Sequence, residues 1–176
     1  MADDKFIVLG EITRRAKETP ILVGGGAVEF YSSGHFVTGD LDLCAETARV
    51  APVLETLGFR KEGMYFARGK LFIHILGPGF AGRSDDIALG KTGLGIRVIS
   101  LEDLIVDRLN SCKWWKHQFD CEQAFYLLNT YRERLDDSYL EERAAQEEVR
   151  DMLDEMRARI VSDVAESPKG KKRRRR

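Results

Sequence analysis

The sequence predicts a mixed α/β fold, a sheet with flanking helices followed by a helical C-terminal segment. Three observations carry this. An apolar run, Ile21-Leu22-Val23, breaks at Gly24-Gly25-Gly26 into a helical stretch, and a second strand then carries Asp40-Leu41-Asp42-Leu43. Between residues 59 and 76 the residues alternate as in a hairpin, with glycine breaks. From Ser100 onward the apolar spacing becomes helical.

Composition bounds the reading. At 176 residues the chain is long enough for one ordinary domain with a helical extension. Hydrophobic content of 43% and charged content of 32% indicate a soluble globular protein. The net charge of -1 argues against a nucleic-acid affinity spread over the whole surface. The charge is uneven, because residues 169–176 carry seven positive side chains and leave the rest acidic. No apolar run is long enough to cross a membrane, and the acidic start Met1-Ala2-Asp3-Asp4 lacks a secretory pattern. Cys44, Cys112 and Cys121 have no metal-ligand spacing and read as reduced, mostly buried thiols in a cytoplasmic protein. The expected organisation is an α/β core over 1–99, a helical segment over 100–165 packed on it, and a disordered basic tail over 166–176.

In order, residues 4–19 form an amphipathic helix with Phe6, Leu9 and Ile12 on one face, stopped by Pro20. The strand 21–23, the glycine turn and a helix over about 27–32 follow, then a second strand over 36–44. Residues 45–57 read as a helix with an apolar stripe, ended by Gly58, with Pro52 inside as a point of break or late start. Strands are expected at 59–62, 65–68 and 71–76, with a further pair at 87–89 and 96–99 around glycines that do not match a Walker A loop. Ser100 with Asp103 is a helix-start signature for a helix running to Trp114-Trp115. A second helix covers about 119–131, and a third, long and highly charged, runs from Asp136 to about Val164.

The chemistry concentrates early. Glycines at a helix start allow a tight turn and leave amides open to a phosphate. Asp40 and Asp42, two apart on a strand, face one side, while Leu41 and Leu43 face a core. Two carboxylates on a rigid strand suit one or two Mg²⁺ ions. The same residues also fit a ligand-free strand-to-helix turn and a solvated strand end.

The stretch Val23-Gly24-Gly25 followed by Asp40-Leu41-Asp42-Leu43 resembles the nucleotidyltransferase superfamily. Ala27, Tyr31 and Thr38 are similar to the branch that includes the AbiEii-type toxins and small relatives. So is the helical stretch with Ser100-Leu101-Glu102-Asp103-Leu104, Asp107-Arg108-Leu109, Trp114-Trp115-Lys116 and Cys121-Glu122-Gln123-Ala124. The likeness spans most of residues 20–130 and implies a nucleotidyltransferase-like sheet. It further implies Mg²⁺-dependent transfer of a nucleoside monophosphate from a nucleoside triphosphate to RNA or protein, toxin-like, with a protein partner or antitoxin. In that frame Asp40 and Asp42 hold the metal, and Gly24, Gly25, Gly26, Thr38 and Lys113 contact the nucleotide. The family's third acid falls at His74, on the strand 71–76. A neutral imidazole favours softer metals and brings no negative charge. The site then either works with two acids, helped by Glu62, Asp85 or Asp86, or has lost catalysis.

The alternatives are a degenerate nucleotide- or RNA-binding module on the same fold and a regulatory protein that docks through its charged last helix. Arg108 is expected to pair with an acid such as Asp120, and Trp114 and Trp115 to plug an interface or stack on a base. The basic tail would attract RNA without reading sequence.

Overall fold

A computed structural model describes residues 2–166, and all of the tail expected over 166–176 except Glu166, which ends the last helix, lies outside them. Helix α1 (Ala2–Arg15) leads into β1 (Ile21–Val23), α2 (Gly24–Tyr31), β2 (Asp40–Cys44) and α3 (Thr47–Thr56). Strands β3 (Arg60–Glu62), β4 (Tyr65–Arg68), β5 (Leu71–Gly77), β6 (Ser84–Ala88) and β7 (Gly95–Ile99) follow. Four helices close the described chain: α4 (Leu101–Trp115), α5 (Gln118–Tyr131), α6 (Asp137–Gln146) and α7 (Arg150–Glu166). The predicted mixed α/β class is therefore present, as a seven-stranded mixed sheet with helices around it.

The sheet order is β3-β4-β5-β2-β1-β7-β6. Strand β2 pairs in parallel with β5, and β1 with β7, while the remaining neighbours are antiparallel. Strand alternation gives the sheet one apolar face. Leu22, Leu41, Leu43, Ile73 and Val98 lie on it, each fully shielded. Gly26 brings α2 against this face, since a Cβ there would stand 2.9 Å from Leu41 Cδ2 and 3.0 Å from Leu22 Cδ1. Leu9 and Ile12 of α1, Ala27 and Val28 of α2, and Val50 and Leu54 of α3 join the same cluster. Pro52 does not break α3, whose flanking Val50 and Leu54 are both fully buried. That packing outweighs the one hydrogen bond the proline removes.

The C-terminal helices are organised by one buried carboxylate. Ser100 caps α4, its hydroxyl accepting from the Asp103 amide. The Asp103 side chain does not reach back to the backbone at its own turn's start. It accepts instead from Arg143 Nε at 2.8 Å, the Tyr139 hydroxyl at 2.8 Å, the Arg83 amide at 2.7 Å and the Ser100 hydroxyl at 3.1 Å. Sheet loop, α4 and α6 are thereby fastened at a single residue.

Two expectations are corrected. The long third helix is two helices, because Glu148 takes a left-handed backbone, φ +57°, and turns the chain so that Val149 is fully buried. Its charged faces lace α6 to α7, with Arg157 bonded to Asp137 and Glu141, and Arg150 to Glu141. Nor are all three cysteines reduced. Cys112 and Cys121 form a disulfide across the α4–α5 turn, where left-handed Lys116 ends α4 and brings the two Cα atoms to 4.9 Å. Cys44 alone is free. Among the described residues no helix is long and apolar enough to cross a membrane.

Asp103→Ala should leave Arg143 and Tyr139 without their buried acceptor and lower stability by about 3 kcal/mol. Urea unfolding followed by circular dichroism measures it, and a loss under about 1 kcal/mol would contradict the fastening role.

Candidate functional site

Strand β1 passes into α2 without an intervening residue, since Val23 ends the strand and Gly24 begins the helix. The helix is therefore longer than the sequence suggests, starting three residues before Ala27. Two of the three glycines are required by the geometry. Gly24 has φ +63°, and a Cβ on it would lie 2.7 Å from Asp42 Oδ2. At Gly25 a Cβ would meet Thr38 at an ordinary 3.5 Å, so this position is open. Gly26 lets the helix approach the sheet. Val23 provides no side-chain cap and the first turn carries no acid, so the first-turn amides remain open. Their partial positive charge points where Asp42 lies.

The register then assembles the acidic side. Val23 pairs with Asp42, and Asp42 pairs in parallel with His74. Asp40 and Asp42 share the face opposite Leu41 and Leu43, as expected. His74 Nδ1 stands 3.4 Å from Asp42 Oδ1, both side chains about three-quarters buried. Tyr65, paired with His74 from β4, places its ring 5.2 Å from the imidazole. Sequence reading passed over Tyr65, and its alternation within β4 is the only signal that could have found it.

Burial pushes the Asp42 carboxyl above the ordinary carboxylate range. The Asp40 charge adds to the rise, while His74 and, more distantly, Arg108 oppose it. Thr38 donates its hydroxyl to Asp40 Oδ1. The structure thus brings together Gly24, Gly25, Thr38, Asp40, Asp42 and His74.

Other expected contributors lie elsewhere. Lys113 donates to the Glu148 carbonyl at 2.6 Å and to Asp151 at 2.7 Å, which ties it to α7. Arg108 pairs with Asp120 at 3.0 Å, as expected, and with Asp107. Asp85 and Asp86 stand on edge strand β6, three strands from β2, with Asp86 engaged by Arg97. Glu62 is equally far, on the other edge. Trp114 and Trp115 are both exposed, at 55% and 73%. Among the described residues no three His, Cys, Asp or Glu groups converge as a metal cluster.

Two outcomes follow from this geometry. Gly24→Ala places a side chain in a left-handed position against a carboxylate and should lower stability by about 1–3 kcal/mol in thermal or urea unfolding. Asp42, with its folded pKa raised above 3.8, binds its proton more tightly in the native state. Its burden on stability is absent at low pH and grows as pH rises through the window above 3.8. Unfolding free energies across pH should therefore fall for the wild type relative to Asp42→Asn; parallel curves would contradict the raised pKa.

No protein-family model matches the chain, and no curated protein matches it. Among solved structures it is similar to the solution structure of the antibiotic-resistance factor ANT(2'')-Ia, with 17% identity and a TM-score of 0.43. That likeness covers 83% of this chain and 100% of the other.

Proposed function

We propose that the chain is a nucleotidyltransferase, moving a nucleoside monophosphate from a nucleoside triphosphate to an acceptor oxygen on RNA or protein, as in toxin-like relatives of the AbiEii branch. One observation carries the reading: the open first turn of α2 abuts Asp42 so closely that only a glycine fits at residue 24. An anion-binding helix start and a pair of carboxylates therefore share one small region.

Asp40 and Asp42 fit a Mg²⁺ site, because both offer hard oxygen donors from one partly exposed face of a rigid strand. When bound, the ion supplies charge neutralisation for the phosphates and the leaving pyrophosphate. The chain's own residues do the rest. Amides of Gly24, Gly25 and Gly26 face the triphosphate oxygens, and the α2 dipole favours their charge. The Thr38 hydroxyl holds one oxygen of Asp40, fixing the other's direction. The acceptor hydroxyl oxygen bonds to the α-phosphorus and gives up its proton to water, the bond to the bridging oxygen breaks, and pyrophosphate departs with the electron pair. His74 stands where a third acid is expected, its Nδ1 3.4 Å from Asp42 Oδ1, and orients that carboxylate.

The same contact favours a second reading, a nucleotide- or RNA-binding module without turnover. His74 Nδ1 stands 3.4 Å from Asp42 Oδ1, and no third carboxylate joins the pair among the described residues.

Incubation with labelled nucleoside triphosphates, Mg²⁺, tRNA and protein acceptors separates the two. Transfer is expected, abolished by chelator and reduced at least about 100-fold in Asp40→Ala/Asp42→Ala. Transfer that survives the double substitution would refute the site, and calorimetric binding without transfer would establish the module.

A further inference from the structure

Helix α1 lies outside the nucleotidyltransferase resemblance, yet one of its side chains is wired to the acidic pair. Lys5 on α1 and Glu29 on α2 form a buried ion pair, their side chains 11% and 1% exposed. Lys5 Nζ donates to Glu29 Oε2 at 2.5 Å and also to the Thr38 carbonyl at 2.7 Å. The Thr38 amide donates to the same Glu29 Oε2 at 2.7 Å. Both backbone groups of Thr38 are thus held by one ion pair. The Thr38 hydroxyl in turn donates to Asp40 Oδ1. A continuous path of hydrogen bonds runs from α1 to the carboxylate of Asp40.

The arrangement is one-sided. Both donors converge on Glu29 Oε2, while the buried Oε1 has no partner among the described residues. Leaving a buried acceptor unsatisfied is unfavourable. A pair selected for stability alone would share its donors over both oxygens. Buried ion pairs are in any case weak stabilisers compared with apolar residues of similar volume. The geometry makes sense as a clamp on residue 38. Gly39 lies between the clamp and Asp40; a Cβ added there would meet nothing within 4 Å, and the residue is tied to β5 through its carbonyl, which accepts from the Phe72 amide at 3.2 Å.

We infer that Lys5 and Glu29 are positioning residues for Asp40. They immobilise Thr38, and its hydroxyl fixes the rotation of the Asp40 carboxylate. The role of Asp40 itself rests on the nucleotidyl-transfer reading. No proton needs to move along the path, because its effect is orientation.

The test is the double variant Lys5→Met/Glu29→Met, which removes both charges together and leaves no unpaired ion. Its unfolding temperature should stay near the wild-type value. Its kcat for label transfer should fall about 10- to 100-fold, with the nucleotide KM little changed. Thr38→Val should reproduce the loss and Thr38→Ser, which keeps the hydroxyl, should restore activity; a mere anchor for α1 would show no such dependence. If the double variant does not fold, Thr38→Val and Thr38→Ser decide alone. Wild-type rates in the double variant and in Thr38→Val would overturn the inference, even while Asp40→Ala remains inactive and the parent reading stands. If the wild type transfers nothing, the parent reading is what fails. The clamp is then read by the side-chain carboxyl ¹³C resonance of Asp40, which should shift in Thr38→Val and in the double variant. An unmoved resonance would overturn it.

Discussion

The candidate site depends on the missing side chain at Gly24. A strand that turns into a helix with no linker needs a residue that accepts φ +63°, and the adjacent carboxylate leaves no room for a Cβ. Any other residue would force the α2 start away from β2. With it would go the place where open backbone amides and a strand carboxylate meet. Gly26 adds the second half of the constraint by letting α2 settle on Leu22 and Leu41. Local backbone freedom and core packing therefore act together at Gly24 and Gly26.

Sheet topology provides what local sequence does not. The parallel pairing of β2 with β5 sets His74 beside Asp42, although the two are 32 positions apart. A register slip of one residue would instead turn His74 toward the apolar face and expose Ile73. The buried Leu41, Leu43 and Ile73 oppose such a slip, so the core fixes the site's geometry. The imidazole is held as part of the acidic cluster rather than as an isolated residue on a core strand.

The helical segment is secured by a different kind of contact. Asp103 gathers four donors from three parts of the chain, and one hydrophobic cluster extends from Phe6 to Ile160. Lys113, which sequence reading offered to the nucleotide, is engaged with α7 instead, and Arg108 pairs with Asp120 as expected. Long side chains on a helix pair with whichever acid lies near, and that depends on how the helices cross. The disulfide has the same origin, since two cysteines nine residues apart meet only because Lys116 reverses the chain between them.

Periodicity in the sequence was enough to determine the mixed α/β class, the hairpin β3–β4–β5, the α4 cap at Ser100 and the shared face of Asp40 and Asp42. Those features follow from side-chain alternation and turn chemistry over a few residues, where backbone geometry leaves few choices. The tertiary structure decided the break at Glu148, the cysteine bridge, the neighbour of Asp42 and the path from Lys5 to Asp40. Each of these joins residues that no local pattern links. Their meeting was settled by burial of the common core, and polar groups then took the partners that the packing left within reach.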